Sequence, residues 1–506
     1  MHKLKSLFNK LNVSNKDSNS INATIAKTDV ITENHQSSNK QELNEASLNK
    51  NCSYCNKPFT EELWCKECDH RRKIEGWTSG NNDVDKFIKD TIYDARNTYK
   101  ESLKWVPFGR FKDVKQIGVG GFAKVYSATW IDHGIKVALK RLNGSKNMSA
   151  VYLNELKIHW NFYKEDSMFS LIFYGMTKDP ETEEFMMILQ FADEGNLRSV
   201  LSHNFKNILW KDKIIYLYWL IYGLKNLHDL GYFHKDFHSG NILQEGGYQT
   251  YISDFGLSGP SNKQKSDDKI CGVLPYIAPE VLNGEPYTLS SDIYSFGVIM
   301  TELSSGIPPF HKRKHDATLA LEICNGLRPN FGKGTPEIYK KLAYKCMNAN
   351  SNQRPTASEL HDIIKFWYCS SRHDKEYQEE EKFGYKGKEI EAMFEEADKE
   401  IPNISTSYEK NPDAIYTSRL FTFNNLTKPI NSSLITSYLD DEENNKDCQD
   451  SQLFDLEMML IIKMIQLLND HILFILCHVI SITGQYLKKM HTSNSIMDLW
   501  YGSNCQ

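Results

Sequence analysis

Between Ile117 and His228 the apolar positions first recur at every second residue and later at every third or fourth, so strands are expected to give way to helices. Around Ile117, Val119 and Val125 the alternation is strand-like, with Gly118, Gly120 and Gly121 between, which reads as strand, glycine turn, strand. Val137, Ala138 and Leu139 continue as an apolar strand ending in Lys140. Tyr152 to Trp160 reads as helix, and the run EFMMILQF over Glu184 to Phe191 as a buried strand. Ala192, Asp193, Glu194, Gly195, Asn196 and Leu197 break that run like a hinge between two lobes. Ile214, Leu217, Tyr218, Ile221, Leu224, Leu227 and His228 then form one stripe along a long scaffold helix, with His228 in a structural role.

The flanks follow other patterns. Val13 to Asn51 hold Asn, Ser, Lys, Thr and Glu with few large apolar residues, so residues 1–51 are expected to form a disordered tail. The start, MHKLKSLFNKLNVSNK, spaces Leu4, Leu7, Phe8 and Leu11 helically among lysines; lacking arginine, it reads as a helix-prone tip rather than a targeting signal. Val84, Phe87, Ile88, Ile92 and Ala95 predict an amphipathic linker helix within residues 83–105. Beyond Trp367 the chain is charged from Arg372 to Lys388, then polar with Pro402, Pro412 and Pro429, then acidic from Asp440 to Asp447. Residues 372–452 are therefore expected to be mostly disordered. Apolar residues return from Leu453 to Ile482, but Asp455, Glu457, Lys463, Asn469, Asp470 and His471 leave no uninterrupted membrane span. Residues 453–506 read as an amphipathic partner helix or the product of an unusual gene model.

Composition narrows the partners. A chain of 506 residues with 40% hydrophobic and 25% charged residues can bury a core, and a net charge of −5 implies no acidic polymer as partner. Nucleic acid and membrane are not expected partners, and the run His70, Arg71, Arg72, Lys73 reads as a solvated face. Among the 11 cysteines, Cys52, Cys55, Cys65 and Cys68 form two CxxC pairs, each able to clamp one side of a tetrahedral zinc ion. A small zinc ribbon over 52–75 is expected, with metal binding worth on the order of 10 kcal/mol as its main source of folding free energy. The other cysteines are scattered, which fits a reducing compartment, cytoplasmic or nuclear.

The chemistry lies between the flanks. Glycines at 118, 120 and 121 let backbone amides approach a triphosphate, and Phe122 at the tip could shield it from water. Lys140 closes VALK, which resembles the VAIK strand of protein kinases, and Glu155 follows 15 residues later in a helical stretch, the separation at which that family's ion pair orients such a lysine on phosphates. His234, Lys235, Asp236, Phe237, His238, Ser239, Gly240 and Asn241 match HRDLxxxN; Asp254, Phe255, Gly256 follow, and Ala278, Pro279, Glu280 close the segment. In this order the motifs are jointly specific, and residues 111–368 resemble a eukaryotic protein kinase domain. That resemblance implies an α+β, bilobal kinase fold with a β-rich N-lobe and a helical C-lobe. It implies Asp236 as the catalytic base, assisted by Lys140 and Glu155, with Asn241 and Asp254 as Mg²⁺ ligands. It also implies ATP held by Ile117, Gly118, Gly120, Gly121, Val125, Ala138, Lys140, Gln190 and Ala192, and protein substrates as partners in intracellular signalling. Oligomeric state is left open.

Ser291 to Gly297 resemble the family's helix that anchors the catalytic loop, and Arg354 matches the arginine that pairs with Glu280. FADEGNLRSVL, HSGNIL and SDIYSFGVIMTELSSGIPPF resemble the tyrosine-kinase-like group; the CxxC lead and CGVLPYIAPEVL resemble an expanded fungal set. Ser/Thr kinases usually carry lysine two residues after the catalytic aspartate and threonine before APE, whereas here His238 and Val273 stand there. Both replacements are expected to remove groups that position the aspartate and the substrate hydroxyl. Ser/Thr specificity thus rests on resemblance, tyrosine stays open as acceptor, and the alternative reading is a catalytically weak scaffold that binds ATP and partner proteins. Lys235 replaces the arginine of HRD and is a weaker phosphate fork; Ser258, Ser261 and Ser266 are candidate phosphorylation sites.

Overall fold

The computed structural model describes residues 78–98, 101–121, 123–165, 170–246, 249–260, 270–372, 375–423 and 426–440. The N-terminal tail, Cys52, Cys55, Cys65 and Cys68, Phe122, Ser261, Ser266 and the apolar stretch from Leu453 lie outside the described residues, and so do the expectations placed on them. The chain divides into two compact units: Met1–Ile117 with Val125–Leu153 and Phe173–Gln190, and Gly118–Lys124 with Asn154–Ile172 and Phe191–Gln506.

The first unit begins with helix α1 (Asn82–Thr98), on the predicted amphipathic stretch. The Asn81 side chain accepts from the amides of Asp83 (3.0 Å) and Val84 (3.1 Å), satisfying donors that a helix start leaves open. Val84 and Ile88 are fully buried on the inner face. The helix stops at Thr98, and Lys104–Trp105 form a strand, β1, parallel to the strand Phe173–Lys178. Gly175 makes that pairing possible: a Cβ there would sit 2.0 Å from the Lys104 carbonyl oxygen. Strands β2 (Phe111–Val119), β3 (Ala123–Trp130), β4 (Ile135–Leu142), β5 (Phe173–Lys178) and β6 (Phe185–Gln190) complete a sheet of order β1-β5-β6-β4-β3-β2. Its core is Val106, Phe111, Ala128, Trp130, Val137, Leu139, Met186 and Ile188.

The second unit holds α2 (Ala150–Glu165) from Asn154 onward, α3 (Trp210–Asp229), the hairpin β7 (Ile242–Glu245) and β8 (Gln249–Ile252), and β9 (Ile270–Gly272). At its centre lies α4 (Leu289–Ser305), buried from Ser291 to Ser304 and apolar on several faces, as a helix enclosed by others must be. Helices α5 (Glu337–Cys346) and α6 (Ala357–Ser370) follow, the latter closed by a reciprocal cap in which Thr356 and Glu359 satisfy each other's amides. Gly297 lets α4 and α5 approach, since a Cβ there would meet Cys346 and Met347 within 3 Å.

The expected disorder over 372–452 is corrected across the described part of that span. Helix α7 (Gly387–Asp398), strand β10 (Arg419–Phe421) and helix α8 (Ser433–Asp440) all pack on the second unit. Phe394 stacks on Trp210 (5.7 Å between centroids) and meets Trp367 edge-on, and Ile390 is fully buried. The charges of α7 concealed a short apolar stripe, Ile390, Phe394 and Ala397, at helical spacing. Among the described residues no helix is long and apolar enough to cross a membrane.

Docking α7 creates an unusual lysine environment. Lys213 on α3 is fully buried, its ammonium 4.2 Å from the Phe205 ring centre and 4.6 Å from that of Trp210. Burial pulls its pKa down to about 7, although Asp398 and Asp212 act the other way. An unfolded lysine titrates near ~10.4. Between these values the unfolded chain carries a proton that the folded chain has released, so stability rises with pH from about 7 towards about 10. Lys213→Met is expected to stabilise the protein by ~2 kcal/mol near neutral pH, with the gain shrinking as pH approaches ~10. Urea unfolding of both proteins at about pH 6.5 and about pH 9.5 measures it; a pH-independent difference would refute the assignment.

Candidate active site

In the second unit the loop from His234 to Asn241 is suspended from α4. The Asp292 carboxylate accepts from the amides of His234 (2.8 Å) and Lys235 (3.1 Å) and lies 3.0 Å from His228 Nε2, the structural role expected of that histidine. These bonds hold Lys235 at φ +67°, a left-handed conformation costly for a side chain with a Cβ. The Lys235 ammonium lies over the rings of Phe233 and Tyr287, at 5.1 and 5.4 Å.

Asp236 is buried within this loop. Asn241 Nδ2 donates to its carbonyl (3.0 Å) and to its Oδ2 (3.2 Å). His238, expected to be a loss to the site, is instead buried beside the carboxylate with Nε2 3.5 Å from Oδ1. The Gly240 amide donates to His238 Nδ1 (3.0 Å), so that nitrogen is the acceptor and any proton of a neutral ring sits on Nε2, facing Asp236. Burial alone would raise the Asp236 pKa; His238 and a hydrogen bond from Ser418 outweigh it and hold the carboxyl below its ordinary value. Val273 is simply core, buried at the end of the segment before Ala278.

The second carboxylate is tied to the same loop through backbone. The Ser253 amide (2.9 Å) and hydroxyl (2.8 Å) both donate to the Asn241 carbonyl. Asp254 follows at φ +65°, its Oδ1 accepting from the Gly256 amide at 3.4 Å. Phe255 is buried against His159 (4.6 Å), Phe162 and His234. A Cβ at Gly256 would come within 3.4 Å of both Asp254 Oδ1 and Glu155 Oε2, so the glycine makes room for two carboxylates. Asp254 and the amide oxygen of Asn241, whose nitrogen is committed to Asp236, are hard oxygen donors of the kind Mg²⁺ takes. The donor set fits that ion.

The remaining candidates divide between the units. Lys140 is buried on β4 opposite Met187, with Ala138 opposite Leu189 and Val137 opposite Gln190. Ile117 and Val125 also belong to the first unit, whereas Gly118, Gly120, Gly121, Ala192 and Glu155 belong to the second. The pairing of Lys140 with Glu155 thus stays a reading from sequence. Gly120 closes its turn by donating to the Ala123 carbonyl (2.8 Å).

The Arg354–Glu280 bridge forms as two parallel bonds of 2.7 and 2.6 Å. Ser258, a candidate phosphorylation site, is buried with its hydroxyl donating to the His234 carbonyl (3.0 Å), a structural use rather than an exposed one. Two groups escaped the sequence reading. Tyr276 donates to Glu302 (2.6 Å) and lies within reach of Ser239 and Arg198, a buried polar network under the loop. Ser418, far along the chain, donates to Asp236 Oδ2. No local motif marks either.

The family described as "Protein kinase domain" matches residues 111–363, half of the chain. Among similar curated proteins, a probable serine/threonine-protein kinase of Dictyostelium discoideum is 26% identical over 281 residues, covering 52% of this chain and 15% of its own length. The probable serine/threonine-protein kinases drkB and drkA of the same organism are each 28% identical, covering 55% and 56% of this chain and 40% and 46% of their own lengths. The chain thus spans less than half the length of these relatives. A match from β2 through the first half of α6 takes in the loop of Asp236 and Asn241, Asp254 and the Arg354–Glu280 bridge, and by it the chain belongs to the protein kinase family.

Proposed function

We propose that this chain transfers the γ-phosphate of MgATP to serine or threonine hydroxyls of proteins, as a cytoplasmic or nuclear signalling kinase of the tyrosine-kinase-like group. The observation that carries this reading is the buried Asp236 carboxylate, charged at neutral pH, braced by Asn241 and hydrogen-bonded to a serine hydroxyl. In the proposed step Asp236 takes the proton of the acceptor hydroxyl. Asn241 and Asp254 would hold Mg²⁺, which when bound neutralises charge on the β and γ phosphates. Lys140, oriented by Glu155, binds the α and β phosphates, and Gly118 to Val125 cover them. Ile117, Val125, Ala138, Gln190 and Ala192 line the place of the base. Cys52, Cys55, Cys65 and Cys68 as ligands of one structural Zn²⁺ belong to the same reading, on their spacing alone.

Incubating the full chain with γ-labelled ATP, a mixed protein substrate and Mg²⁺ tests it, with chelated metal as control. The expected result is metal-dependent label that acid hydrolysis recovers as phosphoserine or phosphothreonine. A folded protein that binds ATP and transfers nothing would be a binding scaffold instead.

A further inference from the structure

The segment around Ser418 is held against the Asp236 carboxylate from both sides. Strand β10 pairs antiparallel with β9, Arg419 opposite Gly272, Leu420 opposite Cys271 and Phe421 opposite Ile270, so a segment from the far end of the chain adds a strand beside the loop of Asp236. Immediately before it, the Ser418 hydroxyl donates to Asp236 Oδ2. The Ser418 carbonyl lies so close to Gly121 that a Cβ there would be 2.7 Å away. Anchors fix both sides of the serine. The Tyr416 hydroxyl donates to the Pro309 carbonyl (2.8 Å), its own carbonyl accepts from Arg198 (3.2 Å), and its ring lies under that guanidinium at 4.8 Å. His315 Nδ1 lies 2.9 Å from the Ile415 carbonyl, and Arg419 donates to the His315 carbonyl. Ala414 is fully buried. Of the neighbouring hydroxyls of Thr417 and Ser418, it is that of Ser418 which meets the carboxylate.

We propose that Ser418 is an acceptor for this chain's own active site, and that the strand holding it fills the place of protein substrates until it is phosphorylated. The inference rests on the kinase reading above. In the step, Ser418 Oγ bonds to the γ-phosphorus and its proton passes to Asp236 Oδ2. The bond from the γ-phosphorus to the bridging oxygen breaks, and its electron pair leaves with ADP. The product carries close to two negative charges beside Asp236 and Asp254, and this repulsion drives the strand out. Before that, a tethered segment at an effective concentration on the order of mM outcompetes a peptide at micromolar levels.

The test uses the full chain, Ser418→Ala, Thr417→Ala and Arg419→Pro, the last chosen to break the β9–β10 pairing away from the catalytic groups. Phosphorylated positions are mapped by mass spectrometry across a dilution series, and transfer to a separate peptide is followed from mixing. Expected are phosphate on Ser418 at a rate independent of protein concentration, and a lag in peptide transfer that Thr417→Ala retains. Ser418→Ala stays slow, and Arg419→Pro starts without a lag and runs ~10-fold faster than Ser418→Ala. Ser418 phosphorylation that slows on dilution overturns the intramolecular assignment. Equal, lag-free peptide transfer by all four proteins with no phosphate on Ser418 overturns the inference and leaves the kinase reading standing. No transfer to any acceptor by a folded Arg419→Pro protein overturns both.

Discussion

Asp236→Asn is expected to lower phosphoryl transfer by about 10²–10⁴-fold while leaving the fold and ATP binding nearly unchanged, the range usual for loss of a positioned general base. The asparagine keeps the shape of the side chain, and the bond from Asn241 Nδ2 to the residue 236 carbonyl survives the change. What disappears is the negative charge that, in the proposed step, orients the acceptor hydroxyl and receives its proton. The wild-type carboxyl is held below its ordinary pKa, so its base form is complete well below neutral pH and is lost only on acidification past the usual carboxylate range. An acid limb near pH ~6 in the transfer rate would therefore belong to another group. Initial rates of label transfer, set beside calorimetric ATP binding for both proteins, decide the point. Transfer above about a tenth of wild type would remove Asp236 from the role of base.

Arg354→Ala is expected to cost about 3–5 kcal/mol of stability, a large share of what holds any domain together. The Arg354 side chain is fully buried and that of Glu280 is 13% exposed, so truncating the arginine strands a nearly desolvated carboxylate. The arginine also donates to the carbonyls of Asn348 (2.8 Å) and Ser290 (2.9 Å), which would lose their partner as well. Removing both charges by Glu280→Gln with Arg354→Met should cost less than Arg354→Ala alone, because no unpaired charge is left inside. Chemical denaturation of the three proteins gives the comparison. A loss under ~1 kcal/mol for Arg354→Ala would mean that the bridge is surface-like in strength.

Some of this was legible from residue order because the chemistry is local. Asp236 and Asn241 lie five residues apart in one loop, a spacing short enough for backbone geometry alone to bring the amide to the carboxylate. The scaffold helices were legible for a related reason: Leu217, Ile221 and Leu224 display their buried face as a period. The same signal failed for α7, where three apolar residues stand among Lys388, Glu389, Glu391, Glu395 and Glu396, and composition outweighed periodicity. His238 misled differently. Set against a lysine it looked like a deletion, yet an imidazole of the right tautomer, set by the Gly240 amide, puts a nitrogen beside the same carboxylate.

The sequence by itself determined the family and the strand-then-helix order and named the side chains proposed to react, since each depends on residue types at short fixed spacings or on a local hydrophobic period. Only the tertiary structure decided that Ser418 meets Asp236 across 182 residues and that Asp398 arrives near Lys213. Those contacts follow from strand addition and helix docking between distant segments, and their free energy depends on what the whole chain buries, which no window along the sequence contains.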